Sequence, residues 1–341
     1  MSSVVRRTIL SRRRVLAGLA SVAAFVPAVA TAQQSGAGAK LLAFPILTSE
    51  ADPAYAEIRR AVRARLRTQG WSEPDTLRIE LRYGDGNADR IPALAAELMA
   101  LNPDVVLVGN TPRARAFRKL TSTTPIVFAG VSDPVGTSLA ESLPHPGGNA
   151  TGMASFEFPM VGKWMELLRR VAPNTRSVGI LYNPTTAPFI AAYLEQAASV
   201  AASLGLRMLD IPVGGPEDID NAYARVDAGQ TAIIVIPDTY TYAQPQRGQL
   251  IALAAQYKVP VVYAFSVHAH DGGLMSFGPN QVNQFERAAD YIDRIFRGAN
   301  PGDLPVQGPT VFDLVLNLGT ATALGLTFPN DLLATATEVI E

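Results

Sequence analysis

Six short segments set polar and aromatic side chains directly after apolar runs. They are Thr48-Ser49, Gly109-Asn110-Thr111-Pro112, Gly130-Val131-Ser132-Asp133-Pro134, Tyr182-Asn183-Pro184, Pro237-Asp238-Thr239-Tyr240 and Phe265-Ser266. Hydroxyls and amides of this kind bind a carboxylate, Asp133 or Asp238 an ammonium, and the rings an apolar body. Taken singly, each segment reads more readily as an ordinary cap or turn, and it is their joint placement that points to a site. This is chemistry for holding a molecule rather than transforming one. There is no Gly-x-Ser-x-Gly nucleophile elbow and no phosphate-binding P-loop, and no cysteine nucleophile. Gly84-Asp-Gly86 lacks the third glycine of a dinucleotide fingerprint. His145 lies in a Pro/Gly loop with no nucleophile beside it. In His268-Ala-His270-Asp271 the two imidazoles point apart on a helix and no third ligand lies near, so a zinc site is not assigned. No catalytic residue, metal or cofactor follows from these residues.

The elements that position the segments alternate regularly. Lys40–Leu47, Asp104–Val108 and Pro125–Phe128 are short apolar runs, as strands buried on both faces require. Leu77–Tyr83 alternates apolar and charged residues, as a strand nearer an edge would. Ala54–Gln69, with Ile58, Val62 and Leu66 on one face and Gly70 as a stop, is an amphipathic helix. Ala88–Leu101 and Arg113–Leu120 are further helices. A Gly/Pro-rich passage over 134–152 has no clear period. The alternation then restarts: helix at Val161–Val171, strand at Ser177–Leu181, helix at Pro188–Leu204, strands at Leu206–Val213, Ile233–Ile236 and Val259–Tyr263, helices at Glu217–Val226 and Gln246–Tyr257. A third segment follows, with strands at Gly273–Phe277 and Phe312–Asn317 around a helix at Gln281–Arg297. Repeated β-α units imply parallel sheets with helices on both faces. The fold class is therefore α/β, with two doubly wound parallel-sheet lobes joined by three chain crossings near Gly152, Phe277 and Phe312. The predicted division is 40–153 with 278–311 for one lobe and 154–277 with 312–341 for the other. In such sheets ligands bind outside the carboxyl ends of the strands, where helix N-termini favour anions. All six segments fall at those ends, three on each lobe's rim.

Ser11-Arg12-Arg13-Arg14-Val15-Leu16, an Ala/Val-rich stretch to Val29 and Ala30-Thr31-Ala32 have the order of a secretory signal. The Ser-Arg-Arg-x-x-Leu arrangement is like a twin-arginine export signal. Residues 1–32 are thus expected to be removed after about Ala32, leaving a tether at 33–39 and a periplasmic protein. Losing the five arginines of this stretch leaves 24 basic against 30 acidic side chains, a formal charge of −6. An acidic chain repels phosphate backbones, which argues against nucleic acid as a partner. The absence of cysteine excludes disulfides and lipid attachment through an N-terminal Cys. The core alone must hold about 300 residues together, ample for two lobes.

Several ordered stretches carry a family resemblance. They include Arg90-Ile-Pro-Ala-Leu-Ala-Ala-Glu-Leu98, Gly109-x-Thr-Pro112, Thr124-Pro-Ile-Val-Phe-Ala-Gly-Val-Ser-Asp-Pro134, Pro146-Gly-Gly-Asn-x-Thr-Gly152 and Gly272-Gly-Leu-Met-Ser-Phe-Gly-Pro-Asn280, then Asn300-Pro-x-Asp-Leu-Pro-Val306 and Asn317-x-x-Thr-Ala-x-Ala-Leu-Gly-Leu326. In this order they resemble the ABC transporter substrate-binding proteins whose best-known relatives bind tryptophan or tyrosine. The resemblance implies a type I periplasmic-binding-protein fold, a small-molecule ligand between the lobes and an ABC permease as partner; a monomer is expected. It places ligand contacts at Thr48, Ser49, Asn110, Thr111, Ser132, Asp133, Tyr182, Asn183, Asp238 and Phe265; the rim loops add Tyr240 and Ser266. The expected function is capture of a small amino-acid-like or carboxylate solute by hinge closure, without catalysis. A sensory module feeding a membrane receptor, or a periplasmic hydrolase, would use the same fold. Two departures touch the cleft. Phe44-Pro45-Ile46-Leu47 replaces a glycine-containing turn, and Arg113 and Arg115 stand where small residues are usual. An arginine facing the cleft would suit an anionic ligand; one facing solvent would simply be hydrated.

Overall fold

A computed structural model describes residues 38–155, 159–227 and 229–341. The expected signal at 1–32 and tether residues 33–37 lie outside the described residues.

The first sheet contains β1 (Lys40–Ile46), β2 (Leu77–Tyr83), β3 (Val105–Val108), β4 (Ile126–Val131) and β5 (Ala150–Ala154), between which run α1 (Pro53–Thr68), α2 (Ile91–Met99) and α3 (Thr111–Leu120). Its order is β2-β1-β3-β4-β5, and every pairing is parallel. The chain then forms α4 (Met160–Val171), β6 (Ser177–Tyr182), α5 (Ile190–Ser203), β7 (Arg207–Pro212), α6 (Pro216–Arg225), β8 (Thr231–Val235), α7 (Thr239–Tyr242), α8 (Gln246–Gln256), β9 (Val261–Tyr263), α9 (Ser266–His270) and β10 (Met275–Pro279). Helix α10 (Gln281–Phe296) returns to the first sheet, packing on α1, β4 and β5. The last stretch, β11 (Phe312–Asn317), α11 (Leu318–Ala323), α12 (Asn330–Leu333) and β12 (Glu338–Ile340), rejoins the second. That sheet runs β12-β11-β10-β9-β8-β6-β7. The chain thus passes between the sheets three times: after Ala154, between Pro279 and Gln281, and before Phe312. Strand β11 is antiparallel to β10, the one exception in two otherwise parallel sheets.

Strand alternation divides each core. Leu42, Phe44 and Ile46 of β1 face α1 and α10, meeting Ile58, Val62 and Phe285. Ala43 between them faces the opposite layer, with Leu98, Ala114 and Phe117 of α2 and α3. In the second lobe Ile180 and Ile234 pack with α4 and α5, while Leu181 and Ile233 pack with α6 and α8. Each fully buried Leu, Ile or Phe contributes about 1.5–3 kcal/mol by leaving water. With no disulfide available, these layers hold the lobes.

Each sheet has a reversal in strand order, between β1 and β3 in the first and between β6 and β8 in the second. Loops leaving two such strands diverge to opposite faces and leave a crevice between them. The two crevices meet.

Candidate functional site

One rim is built on the loops after β1, β3 and β4. Asn110 caps α3, its Oδ1 accepting the Arg113 N–H at 3.0 Å, and Pro112 lies in the first turn, where its missing N–H costs nothing. The Thr111 hydroxyl donates to the Ser132 carbonyl at 3.2 Å and accepts from the Ser132 N–H at 3.2 Å, tying the two loops together. Arg113 turns inward and is only 2 % exposed, whereas Arg115, two positions on around the helix, is exposed. The Arg113 guanidinium donates to the Pro45 carbonyl at 2.7 Å and to the Tyr55 hydroxyl at 2.9 Å, and lies 5.8 Å from the Tyr55 ring centroid. Among the described residues its Nε has no hydrogen-bond partner, and neither has the buried Thr48 hydroxyl. Gly109 makes room for this group, since a Cβ there would stand 2.9 Å from the Arg113 Nη2 and from Phe285.

The facing rim is built on the loops after β6, β8 and β9. Asp238 caps the short helix α7 and is 2 % exposed. Its carboxylate accepts the Asn183 N–H at 2.6 Å, the Tyr240 N–H at 2.9 Å and the Thr186 hydroxyl. Burial pushes Asp238 up to about 6 despite these donors, because leaving water disfavours the charged form. Asn183 accepts the N–H groups of Thr185 at 2.9 Å and Thr186 at 3.2 Å, fixing the turn that presents Thr186 to Asp238.

The rims touch. The Asn110 side-chain amide donates to the Thr239 hydroxyl at 2.8 Å, so the cap of one helix is joined directly to the first residue of the facing one. Tyr55 and Tyr242 meet edge to face at 6.3 Å, and Tyr242 meets Phe265 at 5.1 Å. Leu47 and Ile91 pack on Ala243. Gly86 lies so close to the opposite backbone that a Cβ would stand 2.5 Å from the Gln244 carbonyl oxygen. Between these contacts lies a pocket lined from both sides.

Of the residues picked out from sequence, Thr48, Asn110, Thr111, Ser132, Asp238 and Phe265 line this pocket. Ser49 borders a separate opening with Asp52, Asp85 and Arg247, and Asn183 and Tyr240 border another with Asp85, Asn87 and Gln244. Asp133 turns its carboxylate onto the Gly136 N–H at 2.8 Å. Tyr182 is buried, its phenol pushed up to about 12 by burial and by Asp210. Ser266 begins α9 and lies outside the lining. Sequence reasoning passed over Tyr55, Thr186, Phe189, Tyr242, Gln281 and Gln284, which line the pocket. Tyr55 was within reach, since extending the Ile58-Val62-Leu66 stripe three residues back lands on it.

The histidine pair does structural work. His268 is buried, with its ring nitrogens 3.2 Å from the Thr241 carbonyl and 3.3 Å from the Phe265 carbonyl. Burial and the nearby Arg247 push it down to about 4, so it is neutral. His270 pairs with Glu338 at 2.9 Å. Among the described residues no group of three His, Asp or Glu side chains could hold a metal ion.

Comparison with known proteins places this geometry. Residues 46–340 match the family described as ABC transporter substrate binding protein. A "Tyrosine-binding protein" of Clostridioides difficile is 21% identical over 261 residues, covering 76% of this chain and 74% of its own. A crystal structure titled conserved domain protein, from Vibrio cholerae, superposes with a TM-score of 0.80 at 30% identity, over 88% of this chain and 99% of that one. A Streptococcus pneumoniae ABC domain in complex with L-Trp superposes with a TM-score of 0.79 at 23% identity, over 89% and 100%. The chain belongs to the ABC transporter substrate-binding protein family and has the type I periplasmic-binding-protein fold.

Proposed function

We propose, from that membership, that the chain captures a small amino-acid-like or carboxylate solute in the interlobe pocket and delivers it to the permease of an ABC importer. The family is one of solute-binding proteins rather than an enzyme class, and we assign this chain no catalytic step. The observation that carries the reading is the pocket lined from both lobes by the loops after β1, β3, β4, β6, β8 and β9. A ligand touching both rims stabilises their approach by contacts it cannot make when they are apart. The crossings after Ala154 and at residues 279–281 and 303–312 would be the hinge, dividing the lobes at 153/154, 277/278 and 311/312. Export by the signal at residues 1–32, a periplasmic location, a monomeric state and no affinity for nucleic acid belong to the same reading. Aromatic amino acids lead the ranking of solutes, supported by the tyrosine and L-Trp named for the two relatives and by Tyr55, Tyr242, Phe189 and Phe265 in the lining.

A thermal-shift screen of residues 33–341 against amino acids and small carboxylates tests this. A ligand that binds only the folded chain raises the melting temperature with its concentration. Micromolar affinity, about −8 kcal/mol, is expected for the best solute, with a fall in radius of gyration by X-ray scattering. No shift with any amino acid or small carboxylate, or a shift without compaction, would refute the receptor reading.

A further inference from the structure

We infer that the solute is recognised through an anionic head group held by Arg113 and Thr48, and that an ammonium group is dispensable: the pocket takes carboxylates that carry an apolar body. The inference rests on the reading of the pocket as the solute site and narrows its substrate class.

Among the described residues the pocket holds two charged side chains, in very different states. Arg113 is almost wholly buried, and its partners are neutral: a backbone carbonyl, a phenol hydroxyl and the face of a ring. Among the described residues no carboxylate reaches it. A guanidinium cannot shed its proton to escape the cost of burial, as a lysine or histidine can. A buried charge of this kind calls for a counter-charge, and the Nε–H, still without an acceptor, is a directed donor for one. The Thr48 hydroxyl is a second unpartnered polar group, also buried, on the loop that follows β1. Both line the pocket.

Asp238, the only carboxylate in the lining among the described residues, is committed instead. Three donors of its own lobe occupy it: two backbone N–H groups and the Thr186 hydroxyl. An incoming ammonium would have to compete with contacts that hold the loop together, whereas an incoming carboxylate meets a cation that has no ion pair to break. The remaining surface offers rings, from Phe189, Tyr242 and Phe265. An apolar body of ring size therefore suits the space beyond the head group.

The test uses residues 33–341 and isothermal calorimetry with six probes: 3-phenylpropionate, L-phenylalanine and 2-phenylethylamine, and their indole counterparts 3-indolepropionate, L-tryptophan and tryptamine. The carboxylate of at least one series is expected to bind within about tenfold of its amino acid, and neither amine to bind measurably. Arg113→Gln should weaken carboxylate binding by about 100-fold, the size expected for charge-assisted hydrogen bonds in a dry site, and Thr48→Val by about tenfold. A circular-dichroism melt of each variant checks that it is folded. Arg113→Lys, which keeps the charge but loses the planar fork, should recover part of the loss. Amines binding as well as carboxylates, carboxylates failing where amino acids succeed, or a folded Arg113→Gln with unchanged affinity would each overturn the inference alone. Binding of none of the six, with a silent amino-acid and carboxylate screen as well, would overturn the receptor reading and the inference with it.

Discussion

The two rims are built alike and hold their charges in opposite ways. Each is a set of loops leaving parallel strands, with Asn110 capping a helix on one side and Asp238 on the other. Asp238 is surrounded by donors from its own lobe, while among the described residues Arg113 reaches only neutral acceptors and keeps one N–H free. Burial alone does not tell a framework charge from a working one, since both groups are 2 % exposed. The partners do. A charge satisfied within its own lobe holds a loop, whereas one left with neutral partners is arranged for something that arrives.

The sharpest way to break this comparison is Asp238→Ala. It would strand three donors, so urea unfolding is expected to show a loss of about 3 kcal/mol. A loss below about 1 kcal/mol would mean that the carboxylate is not holding its rim. The pH dependence is next in size and sets Asp238 against His268. The Asp238 pKa is raised to about 6, so its stabilising contribution is complete below the usual value of 3.8 and is lost as pH rises through about 6. The His268 pKa is lowered to about 4, so its contribution is complete above 6.5 and is lost as pH falls through about 4. Between pH 7 and pH 5 each changes stability by about 1–2 kcal/mol, with opposite sign. Wild-type protein should therefore vary little from these two groups. Asp238→Asn should lose stability on acidification, and His268→Gln should gain it, as read from urea midpoints at the two pH values.

Gly86→Ala sharpens the comparison by holding the rims apart. The new Cβ would meet the Gln244 carbonyl oxygen at 2.5 Å, and about a tenfold loss of solute affinity with a larger radius of gyration in the presence of solute is expected. Gly70→Ala is its control: it has the same left-handed backbone, φ +94 against +80, with nothing within 4 Å of the added Cβ. Equal effects from the two would show that backbone strain rather than rim contact is responsible. The smallest effect is expected for Arg113→Met in unliganded protein. Replacing a buried charge that has no ion pair by an apolar chain should change unfolding free energy by less than about 1 kcal/mol. A large loss there would make Arg113 a framework residue like Asp238.

The parallel strands were readable because a strand covered on both faces must be apolar throughout; Val105–Val108 is buried at every position. Strand β5 was not, because Ala150–Ala154 ends a Gly/Pro-rich passage and supplies too few residues to show a period. The short helix α7 read as a loop for the same reason, and β12, three residues long, left no pattern at all. The antiparallel sense of β11 depends on how the chain returns from α10, which no local pattern records. At the site, the loops were legible and their partners were not. Arg113 sits in a first helical turn whose inner and outer sides cannot be told apart until Tyr55 of α1 is seen against it. The role of Asp238 depends on Asn183 and Thr186, far back in the chain.

Helix α10 covers the face of the first sheet that bears Phe44 and Leu107, yet it follows the entire run from β6 to β10. The ribosome therefore finishes the strands of one lobe long before it makes their lid. Until Phe285, Ala288 and Ile292 emerge, that face is greasy and open to any other unfolded chain. A fragment ending at Pro279 should consequently clump rather than stand as a smaller working version.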